Sequence, residues 1–495
     1  METLRLLRSV KNSLFAPIYA IPSEVISLIP DHMNDGYAGL IALTHVCRRW
    51  RDIFISRSSL WARLDCLDKH KTLAYIARSK LFPLDIRLNA TNGQSYKIDA
   101  LHRVVRHLFR LGSLTVHGPG AAVLPDLVMR FSHPTPLLKK LKIHLTSNRD
   151  RAPAFPDTLF NGDLSSLHEL SLAGFTTSLP WRNLVNLTTF KLSCVPGTAG
   201  LPFMTQLLDF LESAPLLSNV ELCSVPAVLN APPRRVVFIP HLERLILSSS
   251  STHSTLVKHL VIPIGALVTL DFPFYGKSSP ILDCLPENTH NLTNLSRITL
   301  INLYLVPRAK CVRLDGPSGQ LYIYSTWPDE RDSSHAVQRQ IFKFLGVFNL
   351  SNIQRLAITK YTCSPRQTVD KSPIFQVLLP MNDLRVLTLT ECNNLSFIRA
   401  LNPEKNRLGT VACPNLVELI LYINELNRFN ASELEEMALA RAEQYTKRPS
   451  LTIISLGEML PKGEVFALRE FFPRVDYKLD VESPEWDALP SEEVG

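Results

Sequence analysis

The chain has 495 residues, 45% of them apolar and 20% charged, enough to bury a large core; this composition belongs to neither a disordered nor a membranous chain. Its net charge is +8, yet Asp480 to Gly495 holds six acidic residues and no basic one, leaving 53 basic against 39 acidic residues, or +14, on the rest. That excess permits acidic partners or nucleic acid without requiring either. The longest apolar run, Leu260 to Leu270, has 11 residues and contains Pro and Gly. A membrane-spanning helix needs about 20, so a soluble protein with no membrane partner is expected.

The nine cysteines are scattered singly, without a CxxC pair or a tight His/Cys group. They read as buried thiols in a reducing compartment, cytoplasm or nucleus, with no metal and no cofactor. Asn186, Asn291, Asn294 and Asn394 lie in Asn-x-Ser/Thr sequons, but no apolar signal segment precedes them and they read as turn asparagines. In the opening "METLRLLRSVKNSLF", Arg5, Arg8 and Lys11 are spaced among leucines. A mitochondrial presequence has that arrangement; residues 1–20 are read instead as a short lead-in helix.

From Ile21 to Trp61 the sequence predicts three short helices. Pro22 heads the first, with Val25, Ile26 and Ile29 on one face. Leu40, Leu43, Val46, Cys47 and Trp50 form the apolar stripe of a second, with Arg48, Arg49, Arg51 and Asp52 on its polar side. Leu60 and Trp61 close the segment. The basic cluster "CRRWR" admits a nucleic-acid reading, and Cys47 a redox or metal one. Three basic residues mixed with apolar anchors are too few for a DNA-reading helix, and Cys47 on the apolar stripe reads as a small buried side chain. So small a helical segment buries too little alone and reads as a docking surface.

This segment resembles an F-box. Ile21, Pro22, Glu24, Val46, Cys47, Arg48, Trp50, Leu60 and Trp61 meet that family's pattern in order and spacing. The resemblance implies that residues 21–66 dock a Skp-family adaptor, with Ile21, Pro22, Glu24, Ile29, Leu43, Val46, Cys47, Trp50, Leu60 and Trp61 as the adaptor-binding set. One residue departs from the family: Pro30 stands where an apolar, often aromatic, residue is usual, and it predicts that the first helix ends or kinks near Ile29. The following "RSKLFPLDIRL" resembles the segment after the F-box in many fungal F-box proteins.

Farther along, an apolar-x-x-apolar-x-apolar pattern recurs from Leu111, Leu138, Leu167, Leu187, Leu217, Leu242, Leu267, Leu295, Ile353, Leu384 and Leu416. The copies start 20 to 32 residues apart except for one interval of 58, which predicts a hidden copy near "GQLYIY" at Gly319. The alternation predicts a short strand with one buried face, and Pro202 to Pro215 carries the helical spacing of a return segment. The recurrence resembles leucine-rich repeats. "LVELILYINEL" fills every position of that family's pattern with Leu416, Leu419, Leu421, Asn424 and Leu426, and Cys392 takes the Asn/Cys position of the preceding copy. The implied fold class is α/β: a helical F-box followed by an open, irregular leucine-rich-repeat solenoid of about 11–13 repeats over residues 67–480, with an acidic tail at 481–495.

No Gly-x-Ser-x-Gly elbow, His-Glu-x-x-His pair or calcium loop occurs, "YGKSS" lacks the earlier glycine of a phosphate loop, and "GPSGQ" reads as a turn; no enzyme is expected. The two resemblances together imply a substrate-recognition adaptor of a Skp–cullin–F-box ubiquitin ligase. The alternative is a leucine-rich-repeat scaffold with a degenerate F-box and no ligase role. A nucleic-acid binder would need basic residues interleaved with exposed aromatics, which the alternate strand positions mostly lack. Those positions, Lys140, Lys142, His144, Lys191, Arg244, Arg297 and Arg355, form the expected target-binding row for an acidic or phosphorylated protein, with Glu169, Glu221 and Asp271 as opposing charges. The same side chains also suit an ordinary solvated face.

Overall fold

The computed structural model describes residues 3, 10–11, 17–32, 36–90, 98–146, 153–175, 184–194, 203–223, 235–248, 253–273, 289–305, 309–326, 341–360, 373–392, 394–405, 409–423, 431–444, 449–456 and 462–480. The acidic tail, most of the lead-in segment, and Asn424 and Leu426 lie outside them. The chain divides into two compact units, residues 1–200 and 201–495.

The first unit opens with helices α1 (Ser23–Leu28), α2 (Gly36–Val46) and α3 (Arg48–Ser56). As the proline requires, α1 ends at Leu28 and the chain continues as a 3-10 turn, Ile29–His32, with Pro30 inside it. The single second helix expected through Trp50 is not formed. Cys47 is extended (φ −159°, ψ 175°), so the stripe is split between α2 and α3. The break leaves carbonyls open at the end of α2, and the Arg51 Nε takes one of them, donating to the Thr44 carbonyl at 3.0 Å. Apolar spacing alone could not reveal this, because the stripe resumes in phase after the break.

A parallel sheet follows: β1 (Arg63–Leu64), β2 (Leu84–Asn89), β3 (Leu111–Pro119), β4 (Lys140–Thr146), β5 (Glu169–Phe175) and β6 (Thr189–Cys194), each hydrogen-bonded to the next. Its first strand begins inside the segment expected to be F-box. Leu114, Val116, Leu141, Ile143, Leu170, Leu172, Phe190 and Leu192 are all buried, so one face of every strand is core. Helix α4 (Lys69–Arg78) lies between β1 and β2, capped by Asp68, whose Oδ1 accepts from the Lys71 N–H at 2.7 Å.

In the second unit the return helix forms over Phe203–Ser213, with Leu207, Leu208 and Leu211 buried. The strands are β7 (Asn219–Cys223), β8 (Val237–Phe238), β9 (Arg244–Ser248), β10 (Leu260–Val261), β11 (Leu267–Pro273), β12 (Leu300–Leu305), β13 (Ala309–Gly316), β14 (Gly319–Thr326), β15 (Arg355–Thr359), β16 (Val386–Thr390), β17 (Glu418–Ile423), β18 (Ser450–Leu456) and β19 (Val475–Asp480). Apart from a separate β8–β10 pair, they are ordered β7-β9-β11-β14-β13-β12-β15-β16-β17-β18-β19, every pairing parallel except the two made by β13.

Each of the eleven sequence copies contributes a strand, with three corrections, the first being that the copy at Leu267 is shifted by two residues, so that Val268 and Leu270 align with Leu245 and Leu247. "GQLYIY" is a strand, but it is the second arm of an antiparallel hairpin with β13, not a further copy of the parallel unit. Its turn is "GPSG", where Gly319 has φ +133° and a Cβ would stand 2.7 Å from the Ala266 carbonyl oxygen. The copy at Leu295 is out of register by three residues: Leu300 aligns with Arg355 and Ile301 with Leu356, so the repeating unit there is Ile298, Ile301 and Leu303. "LSRITLINL" fits the pattern in both registers, and Leu295 instead ends a 3-10 turn, Thr293–Leu295.

Candidate functional site

The N-terminal helices sort the expected docking residues into two groups. Leu43, Trp50 and Trp61 are core: Trp50 is 8% exposed with its ring edge-on to Phe54 at 5.6 Å, and Trp61 is fully buried. Trp61 joins the helices to the sheet. Its indole N–H donates to the Phe54 carbonyl at 2.8 Å, its ring meets Tyr75 of α4 at 4.9 Å, and the Arg78 guanidinium lies 4.3 Å above it. Ile21, Ile29, Cys47 and Leu60 are half-buried, and Pro22 and Glu24 are exposed.

The second group faces outward. Val46 is 55% exposed, and Val25 (52%), Leu28 (50%) and Ile41 (37%), which the sequence reading left out of the docking set, stand open with it. The first two helices therefore expose four branched apolar side chains, while α3 buries Trp50 and Phe54. Uncovered aliphatic groups on so small a segment are the kind of side chain a protein-docking surface presents. Leu28 and Ile41 are apolar residues left over once the stripes are assigned, whereas Val25 and Val46 belong to those stripes and stand exposed instead.

Three of the basic residues of this segment, Arg49, Arg51 and Arg57, are structural, while Arg48 is exposed. Arg49 donates to the Ile21 carbonyl at 2.6 Å, and Arg57 to that of Ser27. With Arg51 on Thr44, three guanidiniums serve backbone carbonyls of α1, of α2 and of Ile21 just ahead of α1. Their donors are thereby engaged within the segment, away from the phosphate contacts a nucleic-acid helix makes.

On the exposed face of the first unit's sheet, Lys140, Lys142 and His144 alternate along β4 as expected, with Lys191 on β6. The two lysines converge on one carboxylate: Glu169 of β5 lies 3.4 Å from Lys140 and 2.5 Å from Lys142. Burial raises the Glu169 carboxyl, but the bonds and charges of Lys142 and Lys140 outweigh it and hold the group below its ordinary value. His144 is hydrogen-bonded to Ser171 at 2.9 Å and stands edge-on to His117 at 4.9 Å. Burial lowers the affinity of both imidazoles for protons, and His117, Lys142 and Lys191 lower that of His144 further.

In the second unit Arg244 and Arg355 occupy the same strand position, but Leu267, Gln320, Asp315 and Leu300 separate them along the register, on the order of 24 Å. Arg297 is not in the row. The register shift of its copy puts it before β12, and Leu300 takes its place. The expected row is thus a cluster on β4–β6 and two separate arginines.

Among the described residues no group of three His, Cys, Asp or Glu side chains is placed to hold a metal ion, and no helix is long and apolar enough to cross a membrane. Burial pushes the Cys66 and Cys413 thiols up to about 12, so neither is a nucleophile at neutral pH. Cys392 is buried and donates to the carbonyls of Ile358 (3.2 Å) and Thr390 (3.3 Å), linking neighbouring strands. Asn294 and Asn394, two of the sequon asparagines, are buried.

No curated protein matches the chain. Residues 18–61 match the F-box domain, three residues ahead of the expected start and ending on the buried Trp61. The span takes in α1 to α3 and all four uncovered aliphatic side chains: this chain carries an F-box domain, and the role that domain points to is that of an adaptor in a Skp–cullin–F-box ubiquitin ligase.

Proposed function

We propose that the chain is a substrate-recognition subunit of such a ligase, its F-box seated on a Skp-family adaptor through Val25, Leu28, Ile41 and Val46, and its sheet holding a target protein. F-box domains typically bind Skp-family adaptors. The observation that carries the reading is the coincidence of the F-box match with uncovered aliphatic side chains on two of its three helices. Catalysis is not assigned to this chain; it acts by holding target lysines near the ubiquitin-carrying enzyme, at a high effective concentration.

The remainder is read as an irregular leucine-rich-repeat array. Support comes from successive parallel strands that each bury the same two apolar positions, and from Cys392 bonding across strands where that family uses Asn or Cys. The target surface is the polar face of the sheet, with Lys140, Lys142, His144 and Lys191 as the cluster for an acidic or phosphorylated segment. Because Glu169 already holds both lysines, such a segment must displace it, which favours a phosphate over a single carboxylate.

The test is co-purification of the full chain with a Skp-family adaptor and a cullin, followed by identification of the remaining bound proteins. Capture of the adaptor, lost in Val46→Asp, supports the reading. A chain that captures targets but never the adaptor belongs to the scaffold alternative, and the α1 shortened at Pro30 is the feature that would account for it.

A further inference from the structure

The second unit's sheet contains a carboxylate that nothing described satisfies. Asp271 of β11 points to the polar face, paired in register with Ser248 of β9 on one side and Tyr324 of β14 on the other. It is half-buried, and among the described residues no hydrogen bond or ion pair reaches it. Cys223 lies beyond Ser248, so the surface on that side is made of short side chains. On the other side Tyr324 and, one row earlier, Tyr322 rise beside it, and the Tyr322 hydroxyl is held by the Cys311 Sγ at 3.4 Å.

Asp271 is close enough to Cys311 to push its thiol up, and its own carboxyl is raised by burial. Among the described residues, the cations of this face do not neutralise it. Arg313, two strands away or about 10 Å, is bonded to Asp315 at 2.8 Å. Arg244 stands four residues before Ser248, about 13 Å along β9. Glu221, two strands across on the Tyr322 row, adds a second negative charge.

We propose that this site seats an arginine side chain of the bound partner, Asp271 accepting from the guanidinium and Tyr322 and Tyr324 forming an aromatic wall beside it. A partly desolvated carboxylate gains most from a cation that arrives with its own donors, and a planar guanidinium both bonds a carboxylate and stacks on a ring. The step from Ser248 to Tyr324 gives the flat group a place to lie. The inference rests on reading the sheet face as the partner surface, but not on adaptor docking.

Titration calorimetry on the full chain tests it, with acetyl-Gly-Arg-Gly-Arg-Gly-amide as probe and the citrulline peptide, equal in shape but uncharged, as control. The arginine peptide should bind at least tenfold more tightly than the citrulline one. Asp271→Asn should lose that tenfold and Tyr324→Leu about fivefold. Asp271→Asn should melt no lower than the wild type at pH 7, since the amide removes a desolvated charge; the peptide comparison stands even if it does not. No binding by the wild type, equal binding of the citrulline peptide, or an unchanged Asp271→Asn overturns the proposal. So does an equal loss in Glu418→Gln, which removes a charge six strands away on the same face and would reveal attraction by net charge alone. Adaptor capture takes no part in these titrations, so a failed ligase reading and a failed arginine seat give separate results.

Discussion

Replacing Val46 by Asp is expected to abolish capture of a Skp-family adaptor and leave the fold intact, whereas Trp50→Ala should lose both. Val46 is 55% exposed at the end of α2, so covering it contributes about 1 kcal/mol, roughly half the burial of a valine side chain. A carboxylate there forfeits that contact and must also be dehydrated without a partner, which costs about 2–3 kcal/mol more. The sum, on the order of 3–4 kcal/mol, weakens binding by two to three powers of ten. Trp50 is different: it is 8% exposed and packs edge-on against Phe54, so truncation costs about 3–5 kcal/mol of stability in a three-helix segment with little to spare. Binding by calorimetry and thermal melts on the same preparations separate the two. A Val46→Asp chain that binds like wild type, or a Trp50→Ala chain that keeps its melting behaviour but loses the adaptor, would refute the division between docking surface and core.

Arg441 is buried and donates to the carbonyls of Leu401 (3.3 Å), Ala412 (2.8 Å) and Cys413 (2.7 Å); Arg441→Met should cost about 3–5 kcal/mol in chemical denaturation, and a loss under 1 kcal/mol would contradict that role. Glu169→Gln frees Lys140 and Lys142, so it should tighten capture of a phosphorylated target several-fold, while reversing both lysines should eliminate capture with adaptor binding unchanged. If neither change alters any partner, the cluster is plain surface. His117 and His144 both have affinities for protons below the ordinary value of 6.5, so their contribution to stability is complete above pH 6.5 and is lost as the pH falls through their folded-state values. The wild type should therefore melt lower at pH 5 than at pH 7, and His144→Gln should reduce that slope; an unchanged slope excludes the pair as its source.

How much of this was legible in the sequence depended on whether a residue's role came from its own neighbours along the chain. The strands were legible because Leu141 and Ile143, or Leu419 and Leu421, alternate within a few residues of each other, and burial of one face needs nothing more. The order of β11, β14, β13 and β12 was not legible. The hairpin between β13 and β14 has the same local alternation as a parallel strand, and only the pairing of β14 with β11, 53 residues apart at Leu267 and Gln320, distinguishes them. The shifted register at Leu295 failed for a related reason: five apolar residues at compatible spacing leave two solutions, and the contact with Arg355 and Leu356 decides between them.

The proposed docking site was obscured by its own composition. A core and an apolar interface draw on the same residue types, so Trp50, Trp61, Val46 and Leu28 look alike in a list and separate only by exposure. The large aromatic anchors ended inside, where Trp61 locks the helices onto Tyr75 and Arg78, and the smaller branched residues ended outside. That division has a mechanical consequence. Trp61 ties the last turn of the F-box to the first helix of the sheet region through Phe54, Tyr75 and Arg78, so the proposed adaptor-facing surface is joined to the beginning of the β-sheet by a packed contact. A ligase subunit that works by holding its target at a fixed place needs such a joint, because a loose one would spread the target lysines over a larger volume and dilute them. The joint is therefore part of the functional reading: Trp61→Leu should leave Val46 and its neighbours able to bind the adaptor, yet lower the rate of ubiquitin transfer to a bound target. Equal transfer by that variant, at equal target and adaptor occupancy, would show that the packed contact has no such role.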